Sequence, residues 1–245
     1  MQLSSAQITA KGNTISVGAK SKYTPFEEWL RGDAKVNNSI QLKFEDIENI
    51  LGDPLPDSSR KYRAWWANDY SHPEAVAWIR AGWLIDNVDL YSDTATFRQS
   101  DLALYLVFFN DMLEKLKKIR PGITTTQRAS LQNWLSFSSG ISGFSFGWAL
   151  PREHILRVEL YIDKGENELN REAFDKLKAM KSEIENEIGC RLNWDELEKA
   201  RAYRIYASKP FHISESQEKH DEAKLWGVDM MLKFIDAFQP RLRGL

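Results

Sequence analysis

Cysteine is almost missing from this chain: Cys190 is the only one among 245 residues. One thiol cannot close an intrachain disulfide, so the fold must rest on buried apolar surface, and a reducing compartment is the expected setting. The Ile-Gly-Cys-Arg context of Cys190 reads as a helix exit turning into a strand, which makes it a small buried residue rather than a nucleophile. Long apolar runs are missing too. Nothing approaches the ~18 residues that a membrane-spanning helix needs, and the first residues lack the basic start and apolar core of a secretory signal. The cytoplasm, without membrane contact, is the expected location. Histidine is scarce and scattered, four in all. There is no His-Glu-x-x-His, no Gly-x-Ser-x-Gly and no phosphate-binding glycine loop with Lys-Ser/Thr, so the motif-bearing hydrolases and nucleotide-binding enzymes are excluded. No catalytic group, metal or cofactor is expected in the leading interpretation.

A surplus of positive charge is the next thing lacking. The net charge is −2, and the first hundred residues hold 11 of the 33 Lys+Arg against 13 of the 35 Asp+Glu. Coating nucleic acid nonspecifically takes many phosphate contacts, so any contact must come from a local patch. Arg60, Lys61 and Arg63, with Arg80 and Arg98 further on, form the only such cluster in the first half.

Tryptophan, by contrast, is plentiful. The run Arg60-Lys61-Tyr62-Arg63-Ala64-Trp65-Trp66-Ala67-Asn68-Asp69 sets three cations beside two adjacent indoles and closes with an amide that can read hydrogen-bond edges. It is a candidate nucleic-acid surface, for DNA more than RNA, with Trp65 or Trp66 stacking on a base and the cations fixing the backbone. His72, at the start of the next helix, is a further candidate. The competing interpretation makes Trp65, Trp66, Trp78 and Trp83 the core of a small domain, since aromatics supply most of the burial there, and makes Asn68 a turn or helix cap. Adjacent residues of regular structure cannot both face one core.

The order of elements gives the domains. Residues 1–22 read as a flexible arm. Thr24 caps a helix with Pro25 at its first position, ended by Gly32; the Asp33-Ala-Lys35 triplet that follows sits in a polar linker and is a chance likeness to a nuclease pair. Ser39 to Phe44 alternates as a strand, Glu45 to Leu51 is a helix stopped by Gly52, Ser71 caps another, and Trp83–Asp89 with Thr94–Phe97 form a hairpin. This order predicts a winged-helix-like domain over 23–99, with Ser71 to Ala81 approaching a groove and Arg98 at the end of the wing meeting a phosphate. The pattern Leu42-Lys-Phe44, Asp46-Ile-Glu48-Asn-Ile-Leu-Gly52, Leu55-Pro56, Tyr62 to Asn68, Ala77-Trp78 and Gly82-Trp83 resembles the bacterial domain of unknown function 7662. The resemblance implies company with DNA-processing and defence proteins.

From residue 100 to 245 the character changes, and a second domain is expected. Asp101 to Lys118 is an amphipathic helix, and Gln127 to Phe137, with Leu131, Trp134 and Leu135, is predicted as another. Phe144–Leu150 and Ile155–Ile162 alternate as a hairpin. Asn170 caps a helix with Phe174, Leu177 and Ile184 on its inner seam; Leu192–Trp194 and Arg201–Ala207 are strands; Glu218 to Phe238 closes as a helix whose apolar face could serve a homodimer. The fold class is α+β: the winged-helix-like domain followed by an antiparallel sheet covered by helices. Val158 to Asp163, Asn170, Phe174, Leu177, Lys181, Ile184-Glu185, Gly189 and Leu192-Asn-Trp194 resemble the domain of unknown function 4268. In fuller relatives this domain follows a nuclease segment that is absent here, which implies an accessory, non-catalytic role in a defence or restriction context.

Two alternatives stay open. Period-two geometry puts Glu159, Tyr161 and Asp163 on one strand face, where Glu159 and Asp163 could hold the metal of a nuclease; Glu222-Ala-Lys224 has the spacing but opens a helix. The other is a protein-interaction adaptor with no nucleic-acid contact. The leading interpretation is a nucleic-acid-binding protein whose second domain supplies a protein interface or extra positive surface from Arg152, Arg157, Arg201 and Arg204.

Overall fold

The computed structural model describes residues 21–32, 38–197 and 201–245. The predicted arm, apart from its last two residues, and the Asp33-Ala-Lys35 triplet lie outside them. The first half runs α1 (Thr24–Gly32), β1 (Ser39–Lys43), α2 (Phe44–Leu51), α3 (Asp57–Lys61), a 3-10 turn (Arg63–Trp66), α4 (Pro73–Arg80), β2 (Trp83–Asp89) and β3 (Thr94–Gln99). Its three strands are antiparallel in the order β1-β3-β2. That is the winged-helix arrangement, with β2 and β3 as the wing. Helix α2 stops at Gly52, whose φ of 70° is open to glycine at little cost.

An aromatic cluster fills the space under this sheet. Phe26 meets Phe97 edge-on at 5.4 Å, Trp78 meets Phe97 at 5.9 Å, and Trp66 stacks on Phe44 at 4.7 Å. The stretch expected to approach a groove is different in kind. Glu74, Ala75, Ala77, Trp78 and Ile79 of α4 are buried, and the helix packs on α1, β2 and the first helix of the second half. Its apolar sequence leaves only Pro73 and Arg80 exposed, so α4 has no polar face to offer a groove.

The second half runs α5 (Asp101–Ile119), β4 (Trp134–Ser138), β5 (Phe144–Ala149), β6 (Ile155–Ile162), α6 (Asn167–Ala179), α7 (Lys181–Ile188), β7 (Asn193–Asp195), β8 (Tyr203–Pro210) and α8 (Gln217–Leu242). The strands form one antiparallel sheet, β4-β5-β6-β8-β7. Leu135, Phe137, Phe146, Trp148, Leu156, Val158, Leu160 and Ile205 point to one side and are buried, where α5 and α8 cover them. Helix α8 comes close because residue 227 is glycine: its carbonyl accepts the Trp148 indole N–H at 2.8 Å, and a Cβ there would run into Met112.

Two expectations are corrected here. Residues 127–133 form no helix, and Trp134–Ser138 is strand β4: Leu135 and Phe137 point inward at period two, and pairing with β5 outweighs the helix-like spacing of Leu131, Trp134 and Leu135. Asn170 is not a cap. It lies inside α6, fully buried, where its amide accepts from the Lys164 backbone N–H at 2.5 Å and donates to the Arg201 carbonyl at 3.0 Å. Helix α8 turns Met231, Phe234, Ile235 and Phe238 toward the sheet and α5, and all four are buried.

Candidate nucleic-acid interface

The Trp-Trp-Ala-Asn segment works inward. In the 3-10 turn Trp65 and Trp66 meet edge-on at 4.6 Å, and both reach Trp78, at 6.4 and 6.2 Å. Two adjacent indoles thus face one core, because the turn is a single 3-10 coil flanked by extended residues and the strict alternation of regular elements does not hold there. Trp66 is buried and donates from its indole to the Ser59 carbonyl at 2.8 Å; Trp65 is half-buried. Asn68 is fully engaged. Its Oδ1 accepts from the Ile85 backbone N–H at 2.8 Å and from the Trp78 indole at 3.1 Å, and its Nδ2 donates to the Ile85 carbonyl at 2.9 Å. That closes the bulge between Ile85 and Asn87 in the β2–β3 ladder.

The cations of this half are paired rather than gathered. Arg60 reaches Glu48 at 2.9 Å and Asp93 at 2.7 Å, Lys61 reaches Asp57 at 2.9 Å, and Arg98 reaches Asp86 at 3.3 Å. Arg63 donates to Asn87 at 3.2 Å and Arg80 to the Tyr70 hydroxyl at 3.2 Å, while His72 lies 3.6 Å from Glu74. The hydrogen bond from Lys61 holds the Asp57 carboxyl below the usual carboxylate range. Arg98 sits at the base of the wing, not its tip, which spans residues 90–93. A phosphate at Arg60, Lys61 or Arg98 would therefore displace a carboxylate.

The second sheet presents a different surface, because its helices all lie on one side. Strand register sets the open face out as a grid. One row reads Trp134, Ala149, Arg157, Ser208; the next Ser136, Gly147, Glu159, Tyr206, Asn193; the third Ser138, Ser145, Tyr161, Arg204, Asp195. Small residues on β4 and β5 make a floor, and the long side chains of β6 and β8 make a wall beside it. The result is a trough of about 450 Å³ lined by Trp134, Ser136, Ser145, Arg157, Glu159 and Tyr161 among others, within the ~300–1,000 Å³ of ordinary ligand pockets. Trp134 is 46% exposed at its corner.

Glu159 stands at the centre of the wall. Its Oε2 is 2.7 Å from Arg157 Nε and 3.0 Å from Arg204 Nε, with all three side chains only 13–18% exposed. Neither N–H points along its contact, so these three buried atoms lack an aligned hydrogen bond among the described residues. Each guanidinium also lies over a ring, Arg157 at 5.4 Å from the Tyr206 centre and Arg204 at 5.9 Å from that of Tyr161. Asp163 lies just past the end of β6 and takes two bonds from Arg201, at 2.9 and 3.1 Å, which hold its carboxyl below the usual range. Both carboxylates of the nuclease alternative are thus turned to arginines. Among the described residues no group of three or more His, Cys, Asp or Glu is placed to hold a metal. The lone Cys190 is half-buried, and burial pushes its thiol up.

A family model described as a domain of unknown function, DUF4268, matches residues 104–242, more than half of the chain. The chain belongs to the DUF4268 family. A second such model, DUF7662, matches residues 23–100. No curated protein and no solved structure matches. The open face of the DUF4268 sheet was in part legible: Arg157 and Arg204 stand out as cations, and alternation puts Glu159 and Tyr161 on one side of a strand. Trp134, Ser136, Gly147 and Tyr206 were missed. Alternation in Phe144–Ala149 and Tyr203–Pro210 could have signalled Gly147 and Tyr206, but Trp134 was hidden by its helix-like spacing.

Proposed function

We propose that this DUF4268 protein is a non-catalytic nucleic-acid-binding accessory protein, working in the cytoplasm in a restriction or defence context, and that it grips single strands on the open face of the five-stranded sheet. One observation carries the reading: an uncovered sheet face where the exposed Trp134 stands with Arg157 and Arg204, each guanidinium laid over a half-buried tyrosine ring, beside a floor of small residues. An exposed ring on a sheet gives an unpaired base a stacking platform, and guanidinium groups near it add cationic planes on which a nucleic-acid strand can settle. A duplex hides its base faces and fits such a platform poorly. The restriction or defence setting rests on the family resemblance alone, and the cytoplasmic one on the single thiol and the absence, among the described residues, of a helix long and apolar enough to cross a membrane.

The test is fluorescence anisotropy of labelled single- and double-stranded DNA and RNA against the full chain, beside the Trp134→Ala variant. Trp134 is exposed enough to be removed without unfolding the sheet. A lost base stack is worth about 1–3 kcal/mol, so the variant should bind single strands roughly tenfold more weakly with an unchanged melting temperature. Failure of every strand to bind at low salt would refute the reading and leave a protein partner as the better explanation.

A further inference from the structure

Resting on that reading, we infer that the trough beside Glu159 selects thymine or uracil, by reading the imide edge of the base. The argument begins with what the wall can offer. Glu159 Oε2 is enclosed between the two arginine Nε atoms, which leaves Oε1 as the free acceptor. Arg157 and Arg204 flank it, and the terminal nitrogens of both guanidiniums donate no hydrogen bond to another described residue, although Arg204 Nη1 is within 3.9 Å of Asp195. The wall therefore presents donor, acceptor, donor.

A base that lies on the floor of Ser136, Ser145 and Ala149 turns its edge to that wall. Ser145 and Ala149 stand opposite Tyr161 and Arg157 in the ladder, and their short side chains leave the room there. The complement of donor, acceptor, donor is acceptor, donor, acceptor, which is the O4, N3–H, O2 edge of uracil and thymine. Cytosine offers a donor followed by two acceptors, guanine an acceptor followed by two donors, and adenine an amino donor beside a ring acceptor. In the same register cytosine and adenine set donor against donor and acceptor against acceptor, and guanine sets a donor against a donor, and a site built to pair polar groups discriminates strongly against a ligand that leaves them unpaired. The cation–π contacts to Tyr206 and Tyr161 keep both guanidiniums in place before any ligand arrives, which limits the ordering cost of binding.

The same edge occurs in DNA and in RNA, and the experiment separates them. Labelled 12-mers of dT, dU, rU, dC and dA are titrated against the full chain, together with a dT strand methylated at N3, which removes the imide donor and keeps the ring. At least one of dT, dU and rU should bind roughly tenfold more tightly than dC and dA, the size of one well-made base contact. N3-methylation should return dT to the dC level. Comparison of dT with dU isolates the methyl group, and dU with rU the sugar. Glu159→Gln should abolish the preference while a strand still binds, and the methylated strand gives the answer even if that variant fails to fold. Equal affinity for all the strands overturns the imide reading and leaves strand binding standing; no binding by any strand overturns both.

Discussion

Replacing Asn68 by alanine separates a scaffold residue from a contact residue. The substitution removes three hydrogen bonds at once: from the Ile85 N–H, from the Trp78 indole and to the Ile85 carbonyl. A typical bond contributes a net ~1 kcal/mol, and a buried donor left without a partner costs about 1–3 kcal/mol. Trp78 is buried, so its indole N–H cannot turn to water, whereas Ile85 is half-buried and its backbone groups partly can. The expected loss is about 3 kcal/mol, roughly 6–12 °C in melting temperature for a chain of this size. Asn68→Asp keeps both acceptor contacts but sets a carboxylate against the Ile85 carbonyl, and should fall between wild type and alanine. Urea unfolding followed by tryptophan fluorescence reads the change directly, since Trp65, Trp66 and Trp78 surround the site. A loss below about 1 kcal/mol for the alanine variant, or undiminished stability together with lost nucleic-acid binding, would refute the clamp.

Trp66→Ala should cost about 3–5 kcal/mol, because the ring is buried against Phe44 and Trp78; a melting curve close to wild type would mean the segment is not core. The salt dependence of strand binding should be shallow: with Arg157 and Arg204 directed to a base edge, log Kd should change with log salt at a slope below about 1.4, the value for two phosphate contacts on a single strand, and a slope near 5 would place the contact on a basic surface elsewhere. His220 is packed edge-on against Phe108 and Phe211, with Nε2 2.8 Å from the Ile213 carbonyl, and burial lowers its pKa from 6.5, with Lys224 adding to the shift and the Ile213 carbonyl, Asp221 and Glu215 opposing it. The unfolded chain therefore takes up this proton first. Stability should be intact above pH 6.5 and fall as pH drops toward the folded-state value. His220→Gln should flatten thermal melts between pH 7 and 5, and an unchanged slope would exclude this histidine as its source.

How far the fold could be read from sequence follows the range of the interactions that set it. Ile155 to Ile162 alternates so cleanly that β6 is legible from its own residues, and the glycine stop of α2 is equally local. The Asn68 clamp is not local: an amide beside a turn reads as a cap, and only its partners at Trp78 and Ile85 reveal the bulge it closes. The alternation of regular elements does not govern Trp65 and Trp66, because a 3-10 turn escapes that rule. On the sheet, Arg157, Glu159 and Tyr161 share a strand, whereas Arg204 joins them only through a register pairing residues more than 40 apart. Sequence could name those side chains but could not assemble them. Arg60, Lys61 and Arg63 are the opposite case, since these cations are adjacent in the chain yet directed to different acids and amides.

That contrast bears on why three charges lie nearly enclosed on an otherwise open sheet. Removing charges from water costs several kcal/mol each, and well-packed apolar residues in place of such a group are often neutral or stabilising by about 1–4 kcal/mol. Arg157, Glu159 and Arg204 make close contacts without aligned hydrogen bonds among the described residues, so they recover less of that cost than a well-formed ion pair does. The combined variant Arg157→Met, Glu159→Leu, Arg204→Met tests this, because it removes all three together and leaves no charge behind. Its melting temperature should match or exceed that of wild type, and its affinity for single strands should drop by more than that of Trp134→Ala. A loss of 3 kcal/mol or more would make the triad a structural element, and the physical motive for a ligand at the trough would be gone.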